Sequence, residues 1–247
     1  MAPKTRHGAQ NSKKLKFQEK LASKGITTDA LLKKLKTLHQ QLAELDQLED
    51  GGSVDTNSLS TARSELISMS LLLHKDRGVK AYTACCLADI LRLYAPKAPY
   101  TDRELRDIFQ FFFRQLSAGL KGPEEPYFNE YFHLLESLAT VKSVVLVCDL
   151  PSSEADELLH EIFKDLFTIV KRDISKKVEM YMANILAALI DESNSLPNDA
   201  LEILMAQFVE KNAVCRSSTF SHVVVHCRAA YRPTIIPLSR TSLQCCG

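Results

Sequence analysis

Apolar residues recur every three or four positions over most of the chain, beginning near Thr27, and this spacing is typical of amphipathic helices. The first run separates six leucines by Lys, Gln and Glu: Leu31, Leu35, Leu38, Leu42, Leu45 and Leu48. Further helices are predicted over about 58–73, 76–94, 101–116, 124–140, 153–171, 175–191 and 198–211. Residues 143–150 are β-branched, but a short helix or turn is favoured because no partner strand is visible. The pattern therefore predicts an all-α fold.

Residues that start and stop helices support these boundaries. Thr27 can cap the first helix, and Gly51-Gly52 follows its end. Thr101 and Glu104 have the spacing of a capping box. Prolines also fall at predicted helix ends or beginnings, where a missing N–H is tolerated: Pro96, Pro99, Pro123, Pro126, Pro151 and Pro197.

The segment that begins at Asp76 fits the second helix of a HEAT repeat, which reads D-x-x-V-[KR] followed by alanine and an apolar pair. Asp76 is predicted to cap this helix. The predicted buried face contains Val79, Ala84, Cys86, Leu87 and Ile90. Shifts of 48 and a further 51 residues place apolar residues at four of these positions: Tyr127, Leu134, Leu135 and Leu138, then Val178, Ile185, Leu186 and Leu189. Because HEAT units repeat every ~40–47 residues, we predict a HEAT-type α-solenoid of stacked antiparallel helix pairs, with an irregular helical bundle as the alternative.

Composition divides the chain into three parts. Residues 1–26 are predicted to form a disordered basic tail, because residues 1–24 contain seven Lys and Arg against a single acid, Glu19. Residues 27–211 are predicted to form the helical-repeat domain. The simplest interpretation of the basic residues 1–26 is a solvated tail. Two functional interpretations are an import signal and a weak contact with DNA.

The C-terminal sequence differs in composition from the rest of the chain. Residues 212–247 contain no Asp or Glu, four of the seven cysteines and no helical stripe. We interpret them as an irregular tail that arises from a frameshift, a retained intron or a truncated gene model. Zinc favours ligands such as Cys215, His222, His226 and Cys227, but the tail has no C-x-x-C pair, and we expect no zinc site.

Composition and motifs argue against the common enzyme classes. The chain has only 8 glycines, and it contains no phosphate-binding loop, nucleophile elbow or zincin motif. The cysteines include two adjacent pairs, Cys85-Cys86 and Cys245-Cys246, and they fit free thiols in a reducing compartment rather than a disulfide framework. No signal peptide is visible, and no apolar run approaches the ~18 residues of a membrane span. The net charge of +1 points to no particular partner.

The strongest local feature is the sequence C-C-L-A-D-I-L-R-L-Y-A-P-K-A-P-Y-T from Cys85 to Thr101, followed by L-R-D-I-F from Leu105. It resembles the Pds-five family of sister chromatid cohesion factors, the cohesin-associated HEAT proteins. In that family the stretch reads approximately C-C-L-A-D-I-x-R-[IL]-Y-A-P-x-A-P-Y-T and then L-x-D-I-F. Residues 127–139 resemble the next block of the family. The resemblance covers about residues 27–211 and only the N-terminal part of these longer proteins.

The resemblance implies a binding role for the A-P-K-A-P-Y segment. Residues before proline favour extended geometry, so the linker is predicted to be stiff and to need little ordering when a partner binds. A rigid connector between two helices is the alternative interpretation of the same spacing. In the family this motif lies in the surface that binds short motifs of cohesin regulators, including Wapl. The resemblance transfers this role to Ala95, Pro96, Ala98, Pro99 and Tyr100.

One residue inside this segment departs from the family. Relatives often have Asp, Glu or Asn where this chain has Lys97. If an acid at this position meets an arginine of the partner peptide, Lys97 replaces attraction with repulsion. The departure affects the expected affinity for the partner and not the fold.

The resemblance therefore implies a non-catalytic, chromatin-associated scaffold in the nucleus. Such a scaffold regulates cohesin in sister chromatid cohesion by binding the kleisin subunit and short motifs of regulators such as Wapl. No cofactor, metal, membrane or small-molecule substrate is expected, and much of the kleisin-contacting surface is expected outside this chain.

Two alternatives stay open from the residues alone. One is another HEAT adaptor, such as a transport or phosphatase scaffold. The other is an enzyme that uses Cys85 or a histidine beside a carboxylate, as in His133 with Glu136 or His160 with Glu161. Five further aromatic residues have helical spacing and are expected in the core: Phe109, Phe112, Phe113, Phe128 and Phe132.

Overall fold

The computed structural model describes residues 13–21, 23, 25–45, 54–169, 174–193 and 196–206. Over these ranges the regular secondary structure is helical, apart from one isolated parallel β-bridge between Lys13 and Val54. The α-helices are α1 (Thr28–Ala43), α2 (Ser60–Leu66), α3 (Met69–Leu72), α4 (Arg77–Tyr94), α5 (Asp102–Gly119), α6 (Phe128–Val141), α7 (Ser152–Ile169), α8 (Lys176–Glu192) and α9 (Asn198–Ala206). Two short 3-10 helices cover Thr56–Leu59 and Ser143–Val147. The chain divides into two compact units, residues 1–99 and 100–247.

In the first unit α4 is the central helix. The longer α1 packs along it, and the shorter α2 and α3 pack on it as well. The N–H of Val79 donates a hydrogen bond to Oδ1 of Asp76 over 2.9 Å, so Asp76 caps α4 as predicted. The predicted stripe of α4 is buried, and α1 contributes four buried leucines: Leu31, Leu35, Leu38 and Leu42.

In the second unit each helix packs on the helix two places further along the chain: α5 on α7, α6 on α8, and α7 on α9. Three polar pairs cross from α5 to α7, and every pair has a separation of 51 residues. The pairs are Arg106 with Glu157 at 2.8 Å, Gln110 with Glu161 at 2.7 Å and Ser117 with Thr168 at 2.8 Å. The two helices are therefore parallel and in register, with the same shift that the sequence repeat predicted.

The apolar positions of the predicted repeat are buried in both α6 and α8. They are Leu134, Leu135 and Leu138, then Val178, Ile185, Leu186 and Leu189. Tyr127 is the exception, since it is only partly buried. It has a left-handed backbone with φ of 64°, and α6 begins after it, not near residue 124 as predicted.

The end of α5 requires a glycine. A Cβ atom on Gly119 would lie 2.1 Å from Cδ2 of Tyr131, whose side chain on α6 is only 1% exposed. Since such a distance is far inside van der Waals contact, a larger residue at position 119 would displace the tyrosine ring. Gly119 therefore permits the close approach of α5 and α6.

Two predicted elements have different outcomes in the structure. Residues 143–147, which include three valines, form a 3-10 helix, and this confirms the preference for a short helix over a strand. The helix predicted over 58–73 is instead divided into three short pieces. The division between α2 and α3 falls at Ser68, whose backbone is extended, with φ of −63° and ψ of 138°. Serine favours helix starts over helix interiors, which explains the break.

The predicted disorder of residues 1–26 is wrong for residues 13–21, which we call the N-terminal strip. Leu15, Phe17 and Leu21 of the strip are only 3%, 8% and 1% exposed. Sequence reasoning missed them because three apolar residues among lysines show no helical period. They contribute to the core without belonging to a helix.

Hydrogen bonds to two side chains hold the N-terminal strip on the first unit. The N–H of Leu15 donates to Oγ of Ser58 over 3.0 Å, and the N–H of Leu21 donates to the carboxylate of Glu65. The ammonium of Lys14 lies 3.5 Å from the carboxylate of Asp55. The strip therefore lies along the segment that leads into α2 and along α2 itself.

Two predictions fall on parts of the chain that the structure does not describe. These are the tail of residues 212–247 and the beginning of the basic tail, residues 1–12. Among the described helices, none combines the length and the apolar character needed to cross a bilayer.

Replacing Leu87 with alanine should lower the free energy of unfolding by about 2–5 kcal/mol, because the substitution leaves a cavity in α4. Leu87 is completely buried. Urea denaturation followed by circular dichroism measures the change. Leu73→Ala is the matched control, since Leu73 is 73% exposed and its loss should cost less than about 0.5 kcal/mol. Similar losses for the two variants would contradict the assignment of α4 to the core.

Candidate partner-binding segment

The A-P-K-A-P-Y segment leaves α4 at its C-terminal end, and its first residues are accessible. Ala95 has an extended backbone, with φ of −49° and ψ of 141°, and the peptide bond from Ala95 to Pro96 is cis. Ala95, Pro96 and Lys97 are exposed, whereas Ala98 and Pro99 are half-buried. The predicted non-helical linker is therefore present in the first unit.

Hydrogen bonds hold this part of the segment in place. The N–H of Ala95 donates to the carbonyl of Arg92 over 3.3 Å, and the N–H of Lys97 donates to the carbonyl of Tyr94 over 3.2 Å. The guanidinium of Arg63, on α2, donates to the carbonyl of Pro99 over 3.1 Å. Since these bonds fix both ends of residues 95–99, the exposed residues have a defined conformation before any partner arrives.

Tyr100 is the first residue of the second unit, and it is half-buried. The next residue, Thr101, begins α5 with the predicted capping box. The N–H of Thr101 donates to the Glu104 carboxylate over 2.8 Å, and the N–H of Glu104 donates to Oγ1 of Thr101 over 3.4 Å. The start of α5 therefore fixes the chain position that follows Tyr100.

A buried carboxylate lies on α4, six residues before the candidate segment. Asp89 on α4 is only 1% exposed. Its Oδ2 lies 2.9 Å from Nδ1 of His39 on α1, and its Oδ1 lies 3.5 Å from the guanidinium of Arg92. Charge and hydrogen bonding thus compensate the burial of this carboxylate.

The same arginine closes the C-terminal end of α1. Nη1 of Arg92 donates to the carbonyl of Leu45 over 3.1 Å, and Nη2 donates to the carbonyl of Leu42 over 3.0 Å. The last carbonyls of a helix have no partner within the helix, so Arg92 supplies the missing donors. His39, Asp89 and Arg92 together join α1 to α4, and we call them the Asp89 cluster.

Sequence reasoning missed the Asp89 cluster. Asp89 stands within the otherwise apolar run of α4, and Arg92 follows three residues later, on the same helix face. A charged residue inside a buried stripe is the signal that could have been used, since buried acids need a partner. The identity of that partner on α1 was not readable, because His39 is 50 residues away in the chain.

Replacing Asp89 with asparagine should lower the free energy of unfolding by about 1–3 kcal/mol. The neutral amide keeps the shape of the side chain but no longer balances the guanidinium of Arg92. Chemical denaturation gives the value, and Asp156→Asn on the exposed face of α7 serves as the control. If both substitutions changed stability equally, the cluster would have no special role in joining α1 to α4.

The adjacent cysteines do not form a reactive thiol site. Cys85 and Cys86 are completely buried in α4. Burial raises the pKa of the Cys86 thiol well above its ordinary value, and the nearby Asp89 carboxylate raises it further. Since the thiolate is the nucleophile, Cys86 is not activated at neutral pH.

The carboxylates of the other proposed enzyme pairs have different partners. Glu161 accepts a hydrogen bond from Gln110, and Glu136 accepts one from the hydroxyl of Tyr181. These bonds join neighbouring helices of the second unit. Both glutamates therefore contribute to the packing of these helices.

The five phenylalanines expected in the core fall into two groups. Phe109, Phe112 and Phe113 on α5 are buried, which confirms the prediction for them. The prediction is wrong for Phe128 and Phe132 on α6, which are only partly buried. They lie on the side of α6 that contacts Tyr181 of α8, so helical spacing alone did not distinguish a partly exposed face from the core.

Comparison with known proteins identifies similar sequences over most of the chain. The family model described as "Sister chromatid cohesion protein PDS5 protein" matches residues 29–231. The sister chromatid cohesion protein pds5 of Schizosaccharomyces pombe is 40% identical over 204 residues, which cover 81% of this chain and 16% of that protein. The human homolog A of PDS5 is 33% identical over 230 residues, covering 89% of this chain and 17% of that protein. The chain thus spans roughly one sixth of the length of these relatives.

A solved structure of a Pds5–Scc1 complex contains a similar chain. The two chains are 33% identical with a TM-score of 0.76, and the alignment covers 94% of this chain and 37% of that one. This match confirms the predicted HEAT-type α-solenoid. The family match ends at residue 231, which is 20 residues beyond the predicted boundary at 211.

Proposed function

The chain belongs to the PDS5 family of sister chromatid cohesion proteins, and we propose that it is the N-terminal part of a non-catalytic scaffold that regulates cohesin in the nucleus. The structural match to a chain solved in complex with Scc1 is the observation that carries the proposal. Members of this family are cohesin regulators and not enzymes. The proposed scaffold acts by holding partners on a stack of helices and needs no catalytic group.

The first proposed partner is the kleisin subunit of cohesin. The similar chain in the Pds5–Scc1 complex is longer than this one, since the alignment covers 37% of it. We therefore propose that this chain contributes one part of a larger kleisin-binding surface. The remaining part belongs to the rest of the solenoid.

The second proposed partner is a short motif of a cohesin regulator such as Wapl, bound at the A-P-K-A-P-Y segment. Three features support this role: two exposed residues, Ala95 and Pro96, a conformation held by hydrogen bonds, and an amphipathic residue, Tyr100, at the end of the segment. A segment that is already ordered loses little conformational entropy when a peptide binds.

Lys97 adjusts the affinity of this segment in the proposal. Its side chain is exposed among the residues that would meet the peptide. A positive charge there repels an arginine of the partner, where an acid would attract it. This chain should therefore bind an arginine-containing motif less tightly than a relative with an acid at this position.

Tyr100→Ala should weaken the binding of an arginine-containing Wapl peptide about tenfold, which is ~1.4 kcal/mol, because the peptide loses an aromatic anchor. Fluorescence anisotropy with a labelled peptide measures the affinity, and thermal denaturation checks that the variant folds. A folded variant that binds with unchanged affinity would remove Tyr100 from the proposed surface.

Lys97→Asp should strengthen binding of the same peptide about fivefold, which is ~1 kcal/mol, because a repulsive charge becomes an attractive one. Lys75→Asp makes the same change of charge at another exposed residue of the first unit. Equal gains for the two variants would show that net charge alone acts and that position 97 has no particular role.

A kleisin segment should co-purify with the folded chain and should be retained by Tyr100→Ala, because the two partners are proposed to use different surfaces. Co-precipitation with the N-terminal segment of the kleisin subunit tests this outcome. Loss of kleisin binding in a folded Tyr100→Ala variant would mean that the two partners share the segment. No binding by the wild-type chain would place the kleisin surface entirely in the rest of the solenoid.

The basic N-terminal residues give a weaker proposed contact with DNA. Two ion pairs near the N-terminal strip join residues of this chain to each other: Lys14 with Asp55, and Lys34 with Glu19. Lys16 and Lys20 of the strip are exposed. A contact through a few such lysines would give a shallow salt dependence, with a log–log slope of about −3 to −4.

A further inference from the structure

Two phenylalanines and a tyrosine form a partly exposed aromatic surface on the second unit. The rings of Phe128 and Phe132 on α6 are stacked, with centroids 6.2 Å apart, and the ring of Tyr181 on α8 lies edge-on to Phe132 at 5.7 Å. All three side chains are half-buried. We call these residues, together with Glu136, the α6–α8 aromatic patch.

Glu136 places a carboxylate beside the rings. The hydroxyl of Tyr181 donates a hydrogen bond of 2.5 Å to Oε1 of Glu136. This bond is the main reason that the pKa of Tyr181 lies above its ordinary value, so the phenol keeps its proton at neutral pH. The α6–α8 aromatic patch therefore combines ring faces and edges with one carboxylate acceptor.

The first unit has a tyrosine at the same repeat position, and there a cation covers the ring. The sequence repeat relates Tyr82 to Tyr181 through the two shifts of 48 and 51 residues. The ammonium of Lys36 on α1 lies 5.3 Å from the centroid of Tyr82. Lys36 precedes Tyr82 by 46 residues, and Glu136 precedes Tyr181 by 45. The tyrosine of the first unit thus has a lysine as its neighbour, and the tyrosine of the second unit has a glutamate.

Within the described part of the chain, no Lys or Arg lies over the rings of Phe132 or Tyr181. Lys177 lies one helical turn before Tyr181 on α8, but it makes no cation–π contact with that ring. Lys36 places a cation over the ring of Tyr82 in the first unit, and no described Lys or Arg does the same at Phe132 or Tyr181. A cation from another molecule could occupy the corresponding position.

Charge in the second unit favours a basic partner. Residues 100–206 contain 10 Lys and Arg against 19 Asp and Glu, which gives a net charge of −9. Residues 1–99 contain 16 Lys and Arg against 10 Asp and Glu, a net charge of +6. The whole-chain charge of +1 conceals this asymmetry, and the acidic unit attracts cationic peptides and repels nucleic acid.

We propose that the α6–α8 aromatic patch binds an arginine side chain of a basic partner peptide. The planar guanidinium stacks on the rings of Phe132 and Tyr181 and donates hydrogen bonds to the carboxylate of Glu136. Arginine is preferred to lysine because its flat, weakly hydrated group can stack and form a forked pair with a carboxylate at the same time. This surface is distinct from the A-P-K-A-P-Y segment and does not depend on the function proposed for it.

Anisotropy titrations of the full chain with labelled peptides of four Arg-Gly repeats test the proposal. Lys-Gly and citrulline-Gly peptides of equal length serve as comparisons. The arginine peptide should bind several-fold more tightly than the lysine peptide, and the uncharged citrulline peptide should not bind measurably. Equal binding of the arginine and lysine peptides would overturn the stacking geometry.

Glu136→Lys should abolish binding, because it removes the carboxylate acceptor and places a cation beside the rings. Glu124→Lys is the matched control, since it makes the same change of charge at an exposed residue of the same unit. The control should weaken binding no more than about twofold. An equal loss of affinity in the two variants would show that binding depends only on the net charge of the unit. That result would contradict the proposed binding site.

Phe132→Leu tests the rings separately from the charge. Leucine keeps an apolar side chain but removes the aromatic face, so the affinity for the arginine peptide should fall at least about fivefold while the melting temperature changes little. If Phe132→Leu unfolds the chain, Tyr181→Leu provides the same test on α8. Unchanged affinity in a folded variant of either ring would contradict the proposal. Tyr100→Ala should leave this binding unchanged, and a parallel loss there would show that the peptide uses the other segment.

Discussion

The structure depends on one constraint: an amphipathic helix of this chain can bury its apolar face only against its neighbours. In the second unit the constraint is met by packing each helix on the helix two places later, α5 on α7 and α6 on α8. The three polar pairs with a constant separation of 51 residues fix the axial register of α5 and α7. Apolar burial provides the stability, and these polar pairs add specificity for the observed register.

The first unit satisfies the same constraint with an additional device, the Asp89 cluster. A carboxylate within the buried face of α4 costs stability unless it is paired, so its pairing with His39 selects one position of α1. Arg92 then completes the end of α1 through its guanidinium and holds Ala95 through its own carbonyl. One residue therefore connects the packing of the unit to the conformation of the exposed segment that follows.

Sequence periodicity was sufficient to predict the helices and the repeat. A helix that buries one face has apolar residues at every third or fourth position, and this pattern is visible in the sequence. Local chemistry was sufficient for Asp76 and for the Thr101–Glu104 capping box. Contacts between residues far apart in the chain could not be predicted. The sequence around Asp89 does not indicate that His39 is its partner. Periodicity also cannot distinguish a fully buried face from a partly exposed one, so it predicted Phe132 to be in the core. The candidate segment was found only through its resemblance to a family, because two alanine–proline pairs could equally form an inert connector.

The N-terminal strip alternates in character over Lys14, Leu15, Lys16 and Phe17, with the apolar side chains buried and the lysines exposed. Lys14 lies beside the carboxylate of Asp55, and Lys16 separates the two buried side chains. The burial of Leu15 and Phe17 therefore decides where the positive charge of this part of the chain lies on the surface.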